Sequence, residues 1–223
     1  RLNLAYTYQN NGNISQMKDH TRGSETLTYT YDDLDRLLGV SGPYSKGYTY
    51  NQIGNIITGS GGNYTYGDTN HKHAVTGLST GESYTYDANG NMITRVENGQ
   101  TYTQTFDIEN RLASVTVVGQ TTQFLYDGDG NLAKKGKPDG SKTFYTGMYE
   151  VDKTSGGTVT KIAVYYPVGG AMRINGTLYF ILKDHLGSSS VVTDASGNIP
   201  SGSEQGYYPY GENRLTPGTM FTD

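Results

Sequence analysis

The sequence predicts an all-β fold built from consecutive antiparallel β-hairpins. One short string of residues recurs along the chain, and a run that alternates tyrosine with threonine precedes most of its copies. The composition agrees, since 21 of the 223 residues are Tyr, 31 are Gly, and only 17% are charged. Tyr and Thr suit the pleated, half-buried surface of a sheet, whereas Gly suits tight turns.

The recurring string reads YDANGNM at residues 86–92 and YDGDGNL at residues 126–132. Related strings occupy residues 8–14, 31–37, 50–56 and 106–112. We call its first residue the anchor and count later positions from it. The anchors are Tyr8, Tyr31, Tyr50, Tyr66, Tyr86, Phe106 and Tyr126, at intervals of 16 to 23 residues. Because one such unit cannot bury its own apolar face, this period predicts units that stack side by side.

Two positions of the string define a turn. Position +4 holds only Gly, Asp or Asn, which are the residues that enter the left-handed region at low cost. These residues are Gly12, Asp35, Gly54, Gly90, Asn110 and Gly130. We therefore predict positive φ at +4. Position +6 is apolar (Met92 in the string at 86–92), so a second strand begins there and faces the core.

The tyrosine–threonine run ahead of each anchor predicts the first strand of each hairpin, with both tyrosines on one face. Asn98 and Gly99 predict a type I′ turn after the second strand, and we expect the same turn at residues 138–140. No stretch predicts a helix.

The pattern departs from the period in three places. The Tyr66 repeat has a longer loop, with Val75 in the apolar position. The period is lost from Met148 to Gly170, where residues 154–158 read as a plain loop and 161–167 as a strand. Residues 178–182 (LYFIL) predict a buried strand. We expect one continuous domain, with repeat hairpins over 1–147 and an irregular C-terminal part over 148–223.

Composition also excludes several classes of function. The formal net charge of −4 and the lack of a basic run longer than two residues argue against a nucleic-acid binder. There is no cysteine, and no apolar run is long enough to insert into a membrane. The first residues do not resemble a signal peptide, so we expect a piece of a longer protein.

The repeats, taken with the C-terminal strings, resemble the YD repeats of bacterial Rhs (rearrangement-hotspot) proteins. The C-terminal strings are residues 184–188 (DHLGS), 191–194 (VVTD) and 207–212 (YYPYGE). DHLGS resembles the signature that closes the Rhs repeat region, and its residues are Asp184, His185, Leu186, Gly187 and Ser188. The resemblance covers nearly the whole chain.

The resemblance implies a hollow shell made of a long spiralling sheet. Rhs proteins, the Tc toxin C component and wall-associated proteins hold a toxic C-terminal domain in such a shell, and teneurins use it in adhesion. It also implies a secreted or cell-surface bacterial protein. Self-cleaving relatives carry a further Asp-Pro motif that we do not find here, and Tyr208 replaces the usual Asp of the last string. We therefore expect neither self-cleavage nor other enzymatic activity.

Several residues invite a chemical role, and each has a simpler interpretation. Asp184, His185 and Ser188 suggest a catalytic triad, but adjacent residues cannot easily align one, so we expect hydrogen bonds to the backbone at a bend that Gly187 permits. The carboxylates Asp32, Asp33 and Asp35 occupy turn positions.

Two sets of residues suggest metal sites. The alternating Asp127, Asp129 and Asn131 begin like a calcium loop, although the EF-hand spacing fails afterwards. His71 and His73 would face the same way on an extended segment and could start a zinc site, but no third ligand is near in sequence. We predict turn chemistry for the first set, a solvated loop for the second, and no cofactor or metal.

The tyrosine rows leave two functions open. Packed tyrosines such as Tyr86 and Tyr126 would join hairpins into the wall of a shell, whose partners are the rest of the polypeptide and an enclosed cargo. Exposed tyrosines would instead form a cell-surface module that binds glycans or a partner protein. We expect the wall.

Overall fold

A computed structural model describes residues 2–21, 23–167 and 170–215 of the chain. These residues form strands and turns and no helix, which confirms the all-β prediction. In particular, the described residues include no helix long and apolar enough to cross a membrane.

The strands follow one another at short intervals along the chain. They are β1 (Leu4–Tyr8), β2 (Ile14–Asp19), β3 (Glu25–Tyr31), β4 (Leu37–Ser41), β5 (Lys46–Gly47), β6 (Thr49–Tyr50), β7 (Ile56–Gly59), β8 (Gly62–Thr65), β9 (Gly77–Leu78), β10 (Ser83–Tyr86), β11 (Met92–Glu97), β12 (Gln100–Phe106), β13 (Leu112–Val117), β14 (Gln120–Tyr126), β15 (Leu132–Gly136), β16 (Lys142–Thr146), β17 (Tyr149–Lys153), β18 (Val159–Tyr166), β19 (Ala171–Ile174), β20 (Thr177–Lys183) and β21 (Ser189–Asp194).

The chain divides into two compact units. Unit 1 takes its described residues from 1–45, 146–151 and 160–223, and unit 2 consists of 46–145 and 152–159. In unit 2, strands β6 to β16 pair consecutively, and every pair is antiparallel. In unit 1, the pairs β1–β2, β2–β3 and β3–β4 and the pairs β18–β19, β19–β20 and β20–β21 are antiparallel too.

Unit 2 has almost no buried core. Tyr48 is its one fully buried apolar side chain. The strands that lead into the repeat strings, such as β10 and β12, alternate half-buried with exposed residues. On β10, for example, Tyr84 and Tyr86 are half-buried and Thr85 is exposed, as the alternation predicts. Because almost no side chain is fully buried, contacts between half-buried side chains on neighbouring strands and the contacts between turns hold this unit together.

Unit 1 has a conventional core at its C-terminal strands. Val191 and Val192 are both buried although they point to opposite faces of β21. The segment that follows β21 pairs with its edge: Ser203 O accepts a hydrogen bond from Val192 N (2.8 Å), and Ser190 O accepts one from Gln205 N (2.8 Å). The strand predicted at 178–182 is present as β20, but the prediction that it is buried is wrong: β20 is half-buried or exposed at every position, and the next strand is buried instead.

A β-bulge that the sequence does not reveal follows position +6 in most repeat hairpins. Tyr86 pairs with Met92 and Thr85 with Thr94, so Ile93 has no partner. The same shift occurs at Tyr8, Tyr31, Tyr50, Phe106, Tyr126 and Lys183. A bulge strengthens the local twist and moves later side chains to the other face. This explains why the second strand of each hairpin, such as β11, lacks the alternation of half-buried and exposed residues that the first strand shows.

The turns that join one hairpin to the next include several of type I′. Asn98 (φ 51°) and Gly99 (φ 72°) confirm the predicted turn, and Val118 (φ 50°) with Gly119 (φ 73°) forms an equivalent that the sequence did not suggest. The type I′ prediction for residues 138–140 is wrong. There only Gly140 has positive φ, and Gly140 N donates to Lys137 O, as in the repeat turns described below.

Val118 is a β-branched residue held at positive φ, with 77% of its surface exposed. The left-handed conformation costs about 1–2 kcal/mol for such a residue and much less for Asn. We predict that Val118→Asn raises the free energy of unfolding by about 1 kcal/mol, because the exposed side chain loses little packing. Urea denaturation measures this change.

The reverse substitution at the matched turn is the control. Asn98→Val should lower the urea midpoint while Val118→Asn raises it. A Val118→Asn midpoint at or below the wild-type value would contradict the assigned turn.

Candidate functional site: the repeat turns and the cavity beside Asp184

One turn geometry recurs at the repeat strings, and we call it the repeat turn. In the Tyr86 string, Gly90 N donates to Asp87 O (3.0 Å) and Asp87 N donates to Asn91 O (2.9 Å). The φ of Gly90 is 85°. Gly12, Asp35, Gly54, Asn110 and Gly130 have φ between 59° and 92°, which confirms positive φ at +4. The hydrogen bonds and the single positive φ describe a type I turn closed by a left-handed residue.

The residue at +1 caps this turn from inside. Asp87 Oδ1 accepts the backbone N–H groups of Asn89 and Asn91, both at 2.9 Å. The equivalent caps are Asp32, Asn51, Asp107, Asp127, Asp184 and Asp194. The carboxylates therefore satisfy turn N–H groups that would otherwise point at water.

These hydrogen bonds stabilise the charged carboxylate. They lower the pKa of the capping aspartates below the ordinary value of 3.8, and the largest cause is in each case a bond from the residue four positions later. The aspartates are Asp32, Asp87, Asp107, Asp127 and Asp194.

The anchor tyrosine joins its turn to the neighbouring hairpin. The Tyr86 hydroxyl donates to Val75 O (2.7 Å), and the Tyr126 hydroxyl donates to Leu112 O (3.0 Å). The accepting carbonyl belongs to the +6 residue of the preceding turn, except at Tyr86, whose acceptor Val75 takes the apolar position of the longer Tyr66 repeat. We call this contact the tyrosine latch. It recurs at Tyr31 with Ile14, at Tyr66 with Ile56, and at Tyr207 with Ser189.

Side chains at +4 add a second connection between neighbouring turns. Asn110 Oδ1 accepts hydrogen bonds from the amides of Asn89 and Asn91, both at 2.9 Å. Asp35 Oδ1 likewise accepts bonds from Asn11 and Asn13, both at 2.7 Å. A non-glycine residue at +4 therefore does two things: it tolerates positive φ, and it bonds the preceding turn.

The same geometry extends beyond the recognisable repeats. The Asp184–Ser188 turn belongs to it, since Gly187 N donates to Asp184 O and Asp184 N donates to Ser188 O. Residues 154–158 also form it, with Thr154 at +1 and Gly157 at +4, so the prediction of a plain loop there is wrong. Tyr208 replaces Asp at +1 in the last turn, yet Gly211 N still donates to Tyr208 O (2.9 Å).

The side chain of His185 does not bond the backbone of any described residue, contrary to our expectation. Its Nδ1 lies 2.9 Å from the Tyr6 hydroxyl, and the two rings meet at a tilt of 56° with 4.7 Å between centroids. Among the described residues, His185 makes no hydrogen bond to Asp184 or Ser188, whereas a triad joins its base to both partners. Leu186 is exposed at the tip of the turn, and its N–H donates to Asp184.

A cavity of about 290 Å³ lies beside this turn, within unit 1. Its wall includes Asp184 and His185 from the turn, Leu27 and Tyr29 from β3, and Arg214. Tyr29 makes no side-chain hydrogen bond to another described residue, and burial raises its pKa well above the ordinary value.

Arg214 connects the end of the described chain to the first hairpins. Its Nη2 lies 2.6 Å from Glu25 Oε2, and its guanidinium lies 5.3 Å above the ring of Tyr44. Tyr44 in turn meets Tyr208 edge-on at 4.8 Å. Contacts between residues far apart in sequence thus hold this part of unit 1 together.

The two histidines that suggested a zinc site each form a hydrogen bond with a nearby Asp or Asn side chain. His71 Nδ1 lies 2.9 Å from Asp68 Oδ2, and His73 Nδ1 lies 2.6 Å from Asn55 Oδ1. Residues 67–76 form bends and turns, so the extended segment that would align the two histidines is not there. In the part of the chain that the structure describes, no three His, Asp or Glu side chains gather as a metal site would require.

Of the comparisons with known proteins, the one with solved structures gives matches. No known protein family matches the chain, and no curated protein matches it. Similar solved structures include a Photorhabdus luminescens Tc holotoxin pore, at 15% identity and a TM-score of 0.35, and a TcdB2–TccC3–Cdc42 crystal structure, at 15% identity and a TM-score of 0.33. Each match covers 96% of this chain and 16% of the other, so the chain spans a small part of those proteins.

Position +4 should be the most sensitive position of a repeat turn. A Cβ at Gly90 would come within 3.4 Å of only the His71 ring, so space is available and the φ of +85° is the constraint. We predict that Gly90→Val lowers the free energy of unfolding by about 2 kcal/mol or more, and Asp87→Ala by about 1 kcal/mol. Thermal melts compare the two variants.

Gly90→Asn is the matched control, because Asn110 already occupies this position at φ 60°. It should melt close to the wild type. Equal melting temperatures for Gly90→Val and Asp87→Ala would show that +4 does not require positive φ.

The capping aspartates predict a specific acid sensitivity. A carboxylate whose pKa is lowered on folding contributes stability that is complete above its unfolded value of 3.8 and is lost as the pH falls through its folded value. The urea midpoint should therefore decline as the pH drops from about 4 to about 2.

Asn51 supplies the control, since an Asn at +1 accepts the same two backbone bonds. A variant with Asn at Asp87, Asp107 and Asp127 should show a shallower decline in acid. An unchanged slope would mean that other carboxylates govern the acid sensitivity.

The tyrosine latch has a natural gap at Phe106, which lacks the hydroxyl. A net hydrogen bond contributes about 1 kcal/mol. We predict that Phe106→Tyr raises the free energy of unfolding by about this amount, by donating to Met92 O, and that Tyr86→Phe lowers it by a similar amount. Equilibrium denaturation of the two variants checks both signs. A destabilised Phe106→Tyr would show that this position cannot form the latch.

Proposed function

We propose that this chain is a segment of the wall of a shell of the Rhs, or YD-repeat, family. The observation that carries the proposal is that one turn geometry recurs even where the sequence of the repeat is no longer recognisable. The turns at Thr154, Asp184 and Tyr208 close like the turn at Asp87. A repeated supersecondary unit that stacks on its neighbours is the construction principle of extended repeat walls.

The role of such a wall is exclusion. From β6 to β16 each strand pairs with the next, so the backbone forms a continuous hydrogen-bonded surface. A thin sheet with few buried side chains encloses a large volume with little protein. The wall would shield a C-terminal toxin or effector from solvent and from the host, and would do no chemistry itself.

The tyrosines support the wall over a glycan-binding surface. A sugar stacks on an exposed ring and uses free hydroxyl groups. The anchors Tyr31, Tyr66, Tyr86 and Tyr126 are half-buried, and each donates its hydroxyl to a neighbouring carbonyl. Their rings are thus partly covered and their hydroxyls already bond neighbouring hairpins, which leaves them less suited to bind a sugar.

The proposal implies a bacterial protein that is secreted or displayed at the cell surface. Its partners are the rest of its own polypeptide and the enclosed C-terminal cargo.

The test uses the polypeptide that the gene encodes, including whatever follows residue 223. Limited proteolysis should cleave the downstream domain much more slowly in that polypeptide than in isolation. The double variant Tyr86→Phe, Tyr126→Phe should accelerate cleavage, and Tyr149→Phe, which alters an exposed tyrosine, should not.

Equal cleavage rates with and without the wall would contradict enclosure. So would a reading frame that stops, or reaches a cell-wall anchor, without encoding a further domain.

A further inference from the structure

A shallow groove of about 220 Å³ crosses strands β14, β15 and β16 of unit 2. We call it the lysine groove, because Lys134, Lys137 and Lys142 line it around Gly136. Gly136 pairs with Gln123 on one side and with Lys142 on the other, so these residues lie on one face of the sheet. Lys134 lies two positions before Gly136 and therefore shares that face.

The three ammonium groups form no ion pair with a carboxylate of the described residues, although the chain carries a formal net charge of −4. Other basic side chains do bond a carboxylate, namely Arg36, Arg111, Lys161 and Arg214. The lysine groove is thus a concentration of uncompensated positive charge in an acidic protein.

The lysines approach one another from separate elements. Lys134 and Lys142 are diagonal neighbours on β15 and β16, and such neighbours lie about 7–8 Å apart. Lys137 joins them from the turn between the two strands. Asp139 lies near Lys137, but its Oδ1 accepts hydrogen bonds from the backbone N–H (2.9 Å) and the hydroxyl (2.7 Å) of Ser141. Like charges at this spacing repel one another, and a bound anion would remove that repulsion.

Gly136 lies at the floor of the groove, and the usual reasons for a glycine are absent there. A glycine inside a strand weakens the strand. The φ of Gly136 is not positive, and an added Cβ would meet no atom of the described chain within 4 Å. Neither the backbone conformation nor a close neighbour therefore requires it. A strand glycine is often found where a ligand approaches the backbone closely.

The sequence departs from the repeat at the positions that face the groove. Counted from the anchor Tyr126, Lys134 is at +8 and Gly136 is at +10. The two preceding hairpins have uncharged side chains at these positions on the same face, which are Thr94 and Val96 on β11 and Ser114 and Thr116 on β13. Lys137 lies at +1 of its own turn, where most repeat turns have a capping Asp. These changes add positive charge and open space at the same place, as an anion site requires.

We propose that the lysine groove binds a phosphate group. The ammonium groups of Lys134, Lys137 and Lys142 would donate to its oxygens, and the missing side chain at Gly136 provides the space above the sheet. A phosphate group carries about −1.5 to −2 charges at neutral pH and has several acceptor oxygens. It therefore suits three ammonium groups better than a carboxylate, which has one charge and two oxygens. The proposal does not depend on a role of the chain as the wall of a shell.

Titration of the whole chain with inorganic phosphate at constant ionic strength, followed by NMR of the backbone amides, tests the proposal. We expect saturable shifts at Gly136, Gly140 and Ser141. Lys134→Gln should weaken binding about tenfold, because it removes one charge-assisted hydrogen bond. Lys135→Gln is the matched control: it removes the same charge at the adjacent position, on the opposite face, and should leave the dissociation constant unchanged.

Gly136→Val distinguishes a groove from a diffuse positive surface. It fills the floor and keeps every lysine, and a β-branched residue suits the strand, so the variant should fold and lose the phosphate shifts. Glycerol 3-phosphate is the second probe. If it binds at least as tightly as inorganic phosphate, the site takes a phosphate ester, and weaker binding assigns the free ion.

The proposal has clear contrary outcomes. Phosphate shifts that do not saturate, or that acetate reproduces at the same ionic strength, would overturn it. Undiminished phosphate binding by a folded Gly136→Val variant, or an equal loss of binding in Lys134→Gln and Lys135→Gln, would overturn it too.

Discussion

The tyrosine latch is the contact on which the sheet of unit 2 depends most. This unit fully buries a single apolar side chain, Tyr48, so half-buried side chains and contacts between turns take the place of a deep core. The hydroxyls of Tyr66, Tyr86 and Tyr126 each bond a backbone carbonyl of the preceding repeat. The latch joins successive hairpins in addition to the backbone ladder of the sheet.

The remaining positions of the repeat make the latch possible. The +1 carboxylate closes the turn, and the left-handed +4 residue reverses the chain within five residues. The bulge after +6 then adds twist and shifts the face. Asn110 and Asp35 add amide bonds to the preceding turn. The +1 and +4 residues therefore each have a local reason for their type, which is why these positions vary little among the strings.

Much of this could be predicted from the sequence. Period-two alternation predicts the outgoing strands, and the restriction to Gly, Asn and Asp predicts positive φ at +4, because both follow from local sterics. The bulges could not be predicted, since they depend on pairing. The pairing of β21 with the segment at Ser203 and Gln205 could not be predicted either, because that segment carries no periodic signal. The turn at Thr154 could not be predicted because it has the geometry of the repeat turn without the repeat sequence.

Of the candidate site, the sequence predicted the cap by Asp184 but not the partner of His185. Tyr6 lies 179 positions away along the chain, and no local pattern predicts that meeting. The cavity in unit 1 depends on similarly distant contacts, among them Arg214 with Glu25. Such contacts are tertiary and leave no signal in a single sequence.

Native-state hydrogen exchange of the whole chain tests most directly whether the turns hold the hairpins together. The N–H groups of Asn89 and Asn91 bond the Asp87 carboxylate and lie outside the strand ladders. If the capped and latched turns hold the sheet, these protons exchange as slowly as those in the middle of β11 and β12. Exchange of these turn protons at the rate of an unstructured peptide, beside protected strands, would contradict that account.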